Sequence, residues 1–187
     1  MTAKTLLVAV IGALAVGGAF GALMLRGPAQ DGGRASAETI RPVWTEAQWP
    51  FAPDPWGKGR AFRCAAADCG AEVALYVRPK LGFCNCTTGI ADDEDLDRMG
   101  DLALVAATPS PAGTGRAIGI GWMNGRSRAY AAGGDTGVLS VAFNDRCDMV
   151  VATATVPRDR VAAIEPHILA FLNSPPMLEW TKLKLGI

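Results

Sequence analysis

The chain has 187 residues, room for one domain or for one domain plus an anchor. Half of the residues are apolar and 19% are charged, which excludes wholesale disorder. Lys plus Arg and Asp plus Glu number 18 each, so no net field draws the chain to nucleic acid or to an acidic membrane surface, and a single histidine excludes a histidine-rich metal site.

Residues 5–25 (TLLVAVIGALAVGGAFGALML) carry no charge, and the run is closed by Arg26. At about 1.5 Å rise per residue such a stretch crosses a hydrocarbon core of about 30 Å. Residues 1–26 are therefore read as a transmembrane signal-anchor, with the lipid bilayer contacted through residues 5–25. The competing reading is a cleaved secretory signal, with Lys4 ahead of the core and Ala35-Ser36-Ala37 as the cleavage motif. The apolar core is longer than the roughly 7–15 residues usual in a cleaved signal, which favours the anchor. Ala9, Ala13, Gly17 and Gly21 recur every fourth position and share one helix face, a surface on which a second helix can approach closely. The alternative is that signal segments are simply rich in Ala and Gly.

The positive-inside count nearly balances, with Lys4 before the span and Arg26 and Arg34 after it. Five cysteines in a small domain suit an oxidising compartment, and 13 Arg against 5 Lys with abundant Ala and Gly suits a GC-rich bacterial genome. The expectation is a single-pass protein of a bacterial inner membrane with its C-terminal domain in the periplasm.

Residues 27–57 read as a linker, Gly/Ala/Ser-rich at first and Trp/Pro-rich afterwards. Trp44, Trp49, Phe51 and Trp56 stand among Pro42, Pro50, Pro53 and Pro55, a composition that is extended rather than helical. These tryptophans can pack on the domain, which is the favoured reading, or face a partner or a bilayer interface.

Residues 58–187 read as a periplasmic α+β domain, an antiparallel sheet of consecutive hairpins covered by a C-terminal helix. Strands are expected at 72–78, 81–86 and 101–107. Two hairpins follow: 116–123 with 126–132 about Asn124-Gly125, and 137–143 with 147–156 about Asn144-Asp145. Helices are expected at 92–99, acidic at its start, and at 159–173, where Val161, Ile164, Ile168, Phe171 and Leu172 form one stripe interrupted by Pro166. The apolar tail 174–187, with Met177, Leu178 and Trp180, is expected to dock on the domain or on a partner.

The cysteines carry the clearest chemistry. Cys64-x4-Cys69 and Cys84-x-Cys86 form a candidate disulfide or metal cluster, with Cys147 left over. Zinc or copper is the lesser reading, because Cys-x-Cys departs from the usual spacing of zinc ligands. A bond within Cys84-x-Cys86 would span side chains about 6–7 Å apart along a strand, so cross-links between the two pairs are expected. Six carboxylates between Asp92 and Asp101 read as a solvated helix start or docking face, since the calcium-loop pattern begun by Asp93, Asp95 and Asp97 fails at Arg98 and Leu104. His167 reads as a packed histidine; a set of Cys147, Asp148 and His167 has no spacing that indicates a nucleophile.

No catalytic residues are assigned, and no cofactor is expected. The leading functional expectation is a membrane-anchored accessory or assembly subunit of a membrane complex, binding integral membrane protein subunits and no nucleic acid. Ala9, Ala13, Gly17 and Gly21 are its candidate helix-packing face, and Trp44, Trp49, Trp56 and Trp180 its candidate partner contacts. Two alternatives stand beside it: a metal- or thiol-handling factor using Cys64, Cys69, Cys84 and Cys86, and a secreted hydrolase or ligand-binding domain with a dispersed site.

Overall fold

The computed structural model describes residues 41–82 and 85–187, within a compact unit running from Thr39 to Ile187. The expectations for residues 5–25 and for Cys84 lie outside the described residues. Among the described residues no helix is long and apolar enough to cross a membrane.

The strands are β1 (Thr45–Ala47), β2 (Arg60–Cys64), β3 (Val73–Lys80), β4 (Ser110–Pro111), β5 (Arg116–Ile120), β6 (Met123–Ala131), β7 (Thr136–Asp145) and β8 (Asp148–Pro157). They form one eight-stranded antiparallel sheet in the order β1-β2-β3-β8-β7-β6-β4, with β5 also on β6. The helices are α1 (Ala66–Cys69), α2 (Asp93–Met99), α3 (Leu102–Val105), α4 (Val161–Leu172) and α5 (Pro175–Leu185).

The two central strands explain the layering. β7 and β8 are buried along almost their whole length, so both faces of the sheet must be covered. On one face Leu139, Val141, Phe143, Val150, Ala152 and Ala154 join the core formed with Ile164, Ile168 and Leu172 of α4 and Met177 and Leu185 of α5. On the other, Ala142, Met149 and Val151 meet Leu96 and Met99 of α2, and Val138 and Tyr130 meet Leu102 of α3. The expected α+β class with an antiparallel sheet is present, but it is covered on both sides, and β3 reaches β8 across a long connection rather than through a hairpin.

Both expected hairpins form, with their turns shifted. The first turn is Gly121-Trp122, set by Gly121 at φ 57°, with Ile120 paired to Met123. Gly followed by any residue suits a type II′ hairpin turn. Asn124-Gly125 instead lies inside β6, where a Cβ on Gly125 would stand 2.2 Å from the Ala142 carbonyl oxygen. The second turn is Arg146-Cys147, between paired Asp145 and Asp148.

Two expectations on segment type are corrected. The stretch 101–107 is helical at α3; it holds Leu and Ala, strong helix formers, and a single β-branched residue, Val105, at the helix end. In the stretch 81–86 no described residue belongs to a strand of the sheet: β3 stops at Lys80 in a turn at Leu81-Gly82, fixed by Gly82 N–H donating to the Asp148 carboxylate at 2.7 Å. The tail forms α5, entered through Pro175 and Pro176 in its first turn and ended by Gly186 in the left-handed region. Pro166 sits inside α4, and the residue four positions before it, Ala162, is exposed, so its carbonyl can turn to water. Finally, β1 and the Trp/Pro-rich stretch from residue 41 onward belong to the compact unit rather than to a linker.

Candidate docking surface

Of the sequence-selected residues, the tryptophans are placed against the domain. Trp44 stacks on Phe171 of α4 at 4.9 Å between ring centres, and Phe171 meets Phe62 edge-on. Trp49 and Phe51 both pack edge-on against Tyr76 of β3, 6.1 and 4.8 Å away. Trp56 lies 5.8 Å from the Lys80 ammonium, and Trp180 of α5 packs half-buried on the core. Trp49 and Phe51 thus cover part of the sheet face that carries α2 and α3, while Trp44 packs on the α4 side.

Four of the five cysteines are bonded in pairs, Cys64 to Cys69 and Cys86 to Cys147. The expected cross-link between the Cys64/Cys69 loop and the Cys84/Cys86 segment does not form. Cys64 ends β2 and Cys69 closes the short α1, which brings the two within one turn at a Cα separation of 5.9 Å. Cys147, in the β7–β8 turn, lies next to the segment after β3 because β3 and β8 are neighbours. The odd cysteine is therefore Cys84 and not Cys147. Sequence reasoning could not see this, because the β3–β8 pairing joins segments about seventy residues apart.

The acidic run is engaged with the sheet. Asp92 caps α2 by accepting from Asp95 N–H at 2.9 Å. Asp93 accepts from Gly115 N–H and from Arg126 Nε, which together hold its carboxyl below the usual range. Asp97 accepts from Arg128 and from the Tyr130 hydroxyl; burial first, and then this carboxylate, push the phenol well above its ordinary pKa. Asp101 is buried and takes a bidentate pair of 2.6 Å bonds from Arg78 Nε and Nη2, while Lys80 Nζ approaches it at 2.8 Å. Arg78 reaches Asp54 with its remaining Nη1 at 2.6 Å. Burial alone would lower the Arg78 pKa, but its bonds to Asp101 and Asp54 outweigh this and hold it raised. Three arginines, one lysine and several carboxylates thus stitch the Trp/Pro stretch, β3, β6 and the α2–α3 junction together. These groups are structural partners of one another.

On the opposite face, Glu165 of α4 accepts from Ser127 Oγ and from Arg116 Nε, tying α4 to β5 and β6. His167 is half-buried on α4. Among the described residues no three His, Cys, Asp or Glu side chains stand close enough to hold a metal ion. Cys147, bonded to Cys86, offers no thiolate in this state to a set with Asp148 and His167.

What the sequence reading missed is a surface. Five large hydrophobic residues are strongly exposed among the described residues: Val43, Leu81, Trp122, Leu183 and Ile187. Four of them gather at one end of the sheet. Lys80, Met149, Asn144 and Asn124 form one cross-strand row, and Leu81 and Trp122 lie just beyond it. Leu185, Gly186 and Ile187 line a groove of about 330 Å³ with the Asp145–Asp148 turn at that same end. Trp122 lies 5.5 Å from the Lys182 ammonium, and Ile187 N–H donates to the Lys182 carbonyl, which joins the turn to the C-terminus of α5. Chain entry is at the other end, where Thr45 pairs with Arg63 and Cys64 with Val73. No signal in the sequence marks this gathering, because its members come from three separate turns and one helix end.

Comparison with protein-family models gives no match for this chain, and comparison with curated proteins gives none either, so function is argued from its own residues.

Proposed function

We propose that this chain is a membrane-tethered accessory subunit of a membrane complex, with its folded domain in the periplasm, and that it works by binding other proteins rather than by chemistry on a substrate. The observation that carries the reading is the pairing of an uncharged 21-residue run at 5–25 with a domain whose exposed large hydrophobics are concentrated at one end. Scattered single hydrophobics are ordinary on a surface, whereas a gathered set marks an interaction site. The conspicuous charges point the same way, because Asp93, Asp97, Asp101, Arg78, Arg126 and Arg128 neutralise one another within the fold. The two disulfides suit an oxidising compartment. The face of Ala9, Ala13, Gly17 and Gly21 is the proposed contact with an integral membrane subunit.

The test is the intact mass of the chain solubilised from its native membrane in mild detergent, with co-purifying chains identified. The reading expects the full-length mass, lowered by the four hydrogens lost in two disulfides, and a stoichiometric membrane partner. Gly17→Leu with Gly21→Leu should release that partner while the domain stays folded. A mass that begins near residue 38, free of partners, refutes the tether.

A further inference from the structure

We propose that the Cys86–Cys147 bond is reached by thiol–disulfide exchange at the surface of the domain, and that a dithiol isomerase of the oxidising compartment supplies this exchange. The step rests on the oxidising compartment of the preceding reading, and not on its tether or its partner.

Chain entropy does not choose the native bond. The probability of closing a loop falls roughly as the −3/2 power of its length. Cys86 and Cys147 are 61 residues apart, and Cys84 and Cys147 are 63 apart. The two closures differ in probability by about 5%, so in the unfolded chain Cys147 meets either thiol almost equally often. Closures between the Cys64/Cys69 pair and the Cys84/Cys86 pair are shorter. The 15 residues from Cys69 to Cys84 close about eightfold more readily than 61. The Cys64–Cys69 bond, across 5 residues, ends that competition once it is made. Three thiols then remain for one bond, and the surplus one lies two residues from the native one.

The fold does choose. On one side of Cys86, Gly82 N–H donates to the Asp148 carboxylate. On the other, Ile90 N–H donates to Asn144 Oδ1 at 3.1 Å, and the Ile90 side chain is buried with Leu96 and Met99 of α2. Both acceptors belong to the β7–β8 hairpin, so the segment is pinned to that hairpin ahead of Cys86 and behind it. A bond from Cys84 shifts the covalent tie by two residues against both pins. The native pairing is therefore the favoured one at equilibrium, and the rate of exchange limits it. Uncatalysed disulfide rearrangement takes minutes to hours.

Exposure shows where an enzyme can act. Cys64 and Cys69 are fully buried, so their bond is closed to an outside thiolate once β2 and α1 are in place. Cys86 is exposed, and Cys147 is partly exposed on the groove it lines with Leu185 and Ile187. The enzyme thiolate attacks Cys147 Sγ of a misplaced Cys84–Cys147 bond. That bond breaks, a mixed disulfide forms, and the released Cys84 thiolate takes a proton from water. Cys86, its proton given up to water, attacks the same Cys147 Sγ as a thiolate and returns the enzyme thiolate. One S–S bond breaks and one forms in each step, so no outside oxidant or reductant is consumed.

The test exports the full-length chain in two bacterial hosts, one with and one without its periplasmic disulfide isomerase. Exchange is quenched with acid at harvest, free thiols are alkylated, and the bonded peptides are mapped by mass. With the isomerase, bonds of Cys147 to Cys86 should exceed those to Cys84 by roughly tenfold or more; without it the ratio should fall to about one. In the host without isomerase, Cys84→Ser should bring the yield of Cys86–Cys147 up to that of the complete host. Native pairing of the parent chain in both hosts overturns the exchange step alone, as does a Cys84→Ser chain that depends on the isomerase as strongly as the parent. A Cys84–Cys147 bond that prevails in both hosts overturns the choice made by the fold. A chain whose thiols are all free refutes the oxidising compartment, and the exchange with it.

Discussion

Replacing Asp101 with alanine is the sharpest test of how the domain is held together. Its carboxylate accepts two 2.6 Å bonds from the Arg78 fork and has the Lys80 ammonium at 2.8 Å. All three side chains are less than a tenth exposed. Without Asp101, Lys80 keeps the Met99 carbonyl and Arg78 keeps Asp54, which is about one-third exposed and so offers weaker compensation. Removing one partner from a buried ion pair leaves charge stranded and costs about 3–5 kcal/mol. With a urea m-value of about 2 kcal/mol/M, the unfolding midpoint should fall by about 2 M. The assay is equilibrium unfolding followed by tryptophan fluorescence, since Trp49 and Trp56 lie beside the network. The triple replacement Arg78→Met, Lys80→Met, Asp101→Leu should recover more than half of the loss, because it removes the stranded charges and fills the space with apolar groups. A loss below about 1 kcal/mol for Asp101→Ala would mean that the network behaves like an exposed ion pair, and the reasoning would be refuted.

Four more outcomes are expected. The denatured, unreduced chain should titrate a single thiol, and Cys84→Ser should leave none; two or more thiols would contradict the pairing Cys64–Cys69 and Cys86–Cys147. Because the second bond closes a loop of 61 residues against 5, chain entropy predicts that losing it costs about 4 kcal/mol and losing the first about 2, measurable as unfolding midpoints of Cys147→Ser and Cys69→Ser. Gly125→Ala should destabilise by about 2 kcal/mol or more, since the new Cβ meets the Ala142 carbonyl of the neighbouring strand, and an unchanged melting temperature would show that the strands part freely. Asp93 has its pKa depressed in the fold by Gly115 N–H and Arg126, so its contribution is present above the unfolded carboxylate value of about 3.9 and is lost as pH falls through the lower folded value. Asp93→Asn should therefore flatten the fall of stability below about pH 4, and an unchanged acid limb would remove Asp93 from that role.

Local pattern was legible where one face of an element is buried or where turn residues bracket a run, and unreadable where the deciding partner is distant in sequence. The helix 159–173 announced itself through Ile164, Ile168 and Leu172, and α4 buries those three. The acidic start of α2 was read correctly as a helix N-terminus, with Asp92 as its cap. The run 101–107, a short apolar stretch that fits helix or strand alike, was misread, and burial of Leu102 under α3 decides it. The hairpins were found because strand runs flank turn residues, but Asn124-Gly125 drew the turn three residues too far along. Gly125 is there for the close approach of β7, a requirement of tertiary packing that no local rule carries. The disulfides fail to read for the same reason: the partner of Cys86 is fixed by β3 lying beside β8.

The distribution of charge explains why the candidate surface was hidden. Six carboxylates in ten residues look like a docking face in a sequence. Their partners Arg78, Arg126 and Arg128 sit on β3 and β6, so in three dimensions much of the run becomes the cement between α2, α3 and the sheet. The three tryptophans of 44–56 look like a partner site too, and are used to cover Tyr76 and Phe171. With β7 and β8 buried on both faces, the middle of the sheet is closed to a ligand as well, and a groove of about 480 Å³ over Ala74, Tyr76 and Thr155 opens only toward the chain-entry end. What is left for recognition are the turns at the strand ends, where side chains can be exchanged without touching the core. The end bearing Leu81, Trp122, Leu183 and Ile187 differs from the chain-entry end in carrying four of the five strongly exposed large hydrophobics among the described residues, against Val43 alone at the other. Exposed leucine and tryptophan cost solubility unless something covers them, and a rigid two-sided sheet fixed by two disulfides presents them at a constant geometry. That combination is what a docking element requires, and it is why perturbing Leu183 should change where the domain sits while leaving its stability alone.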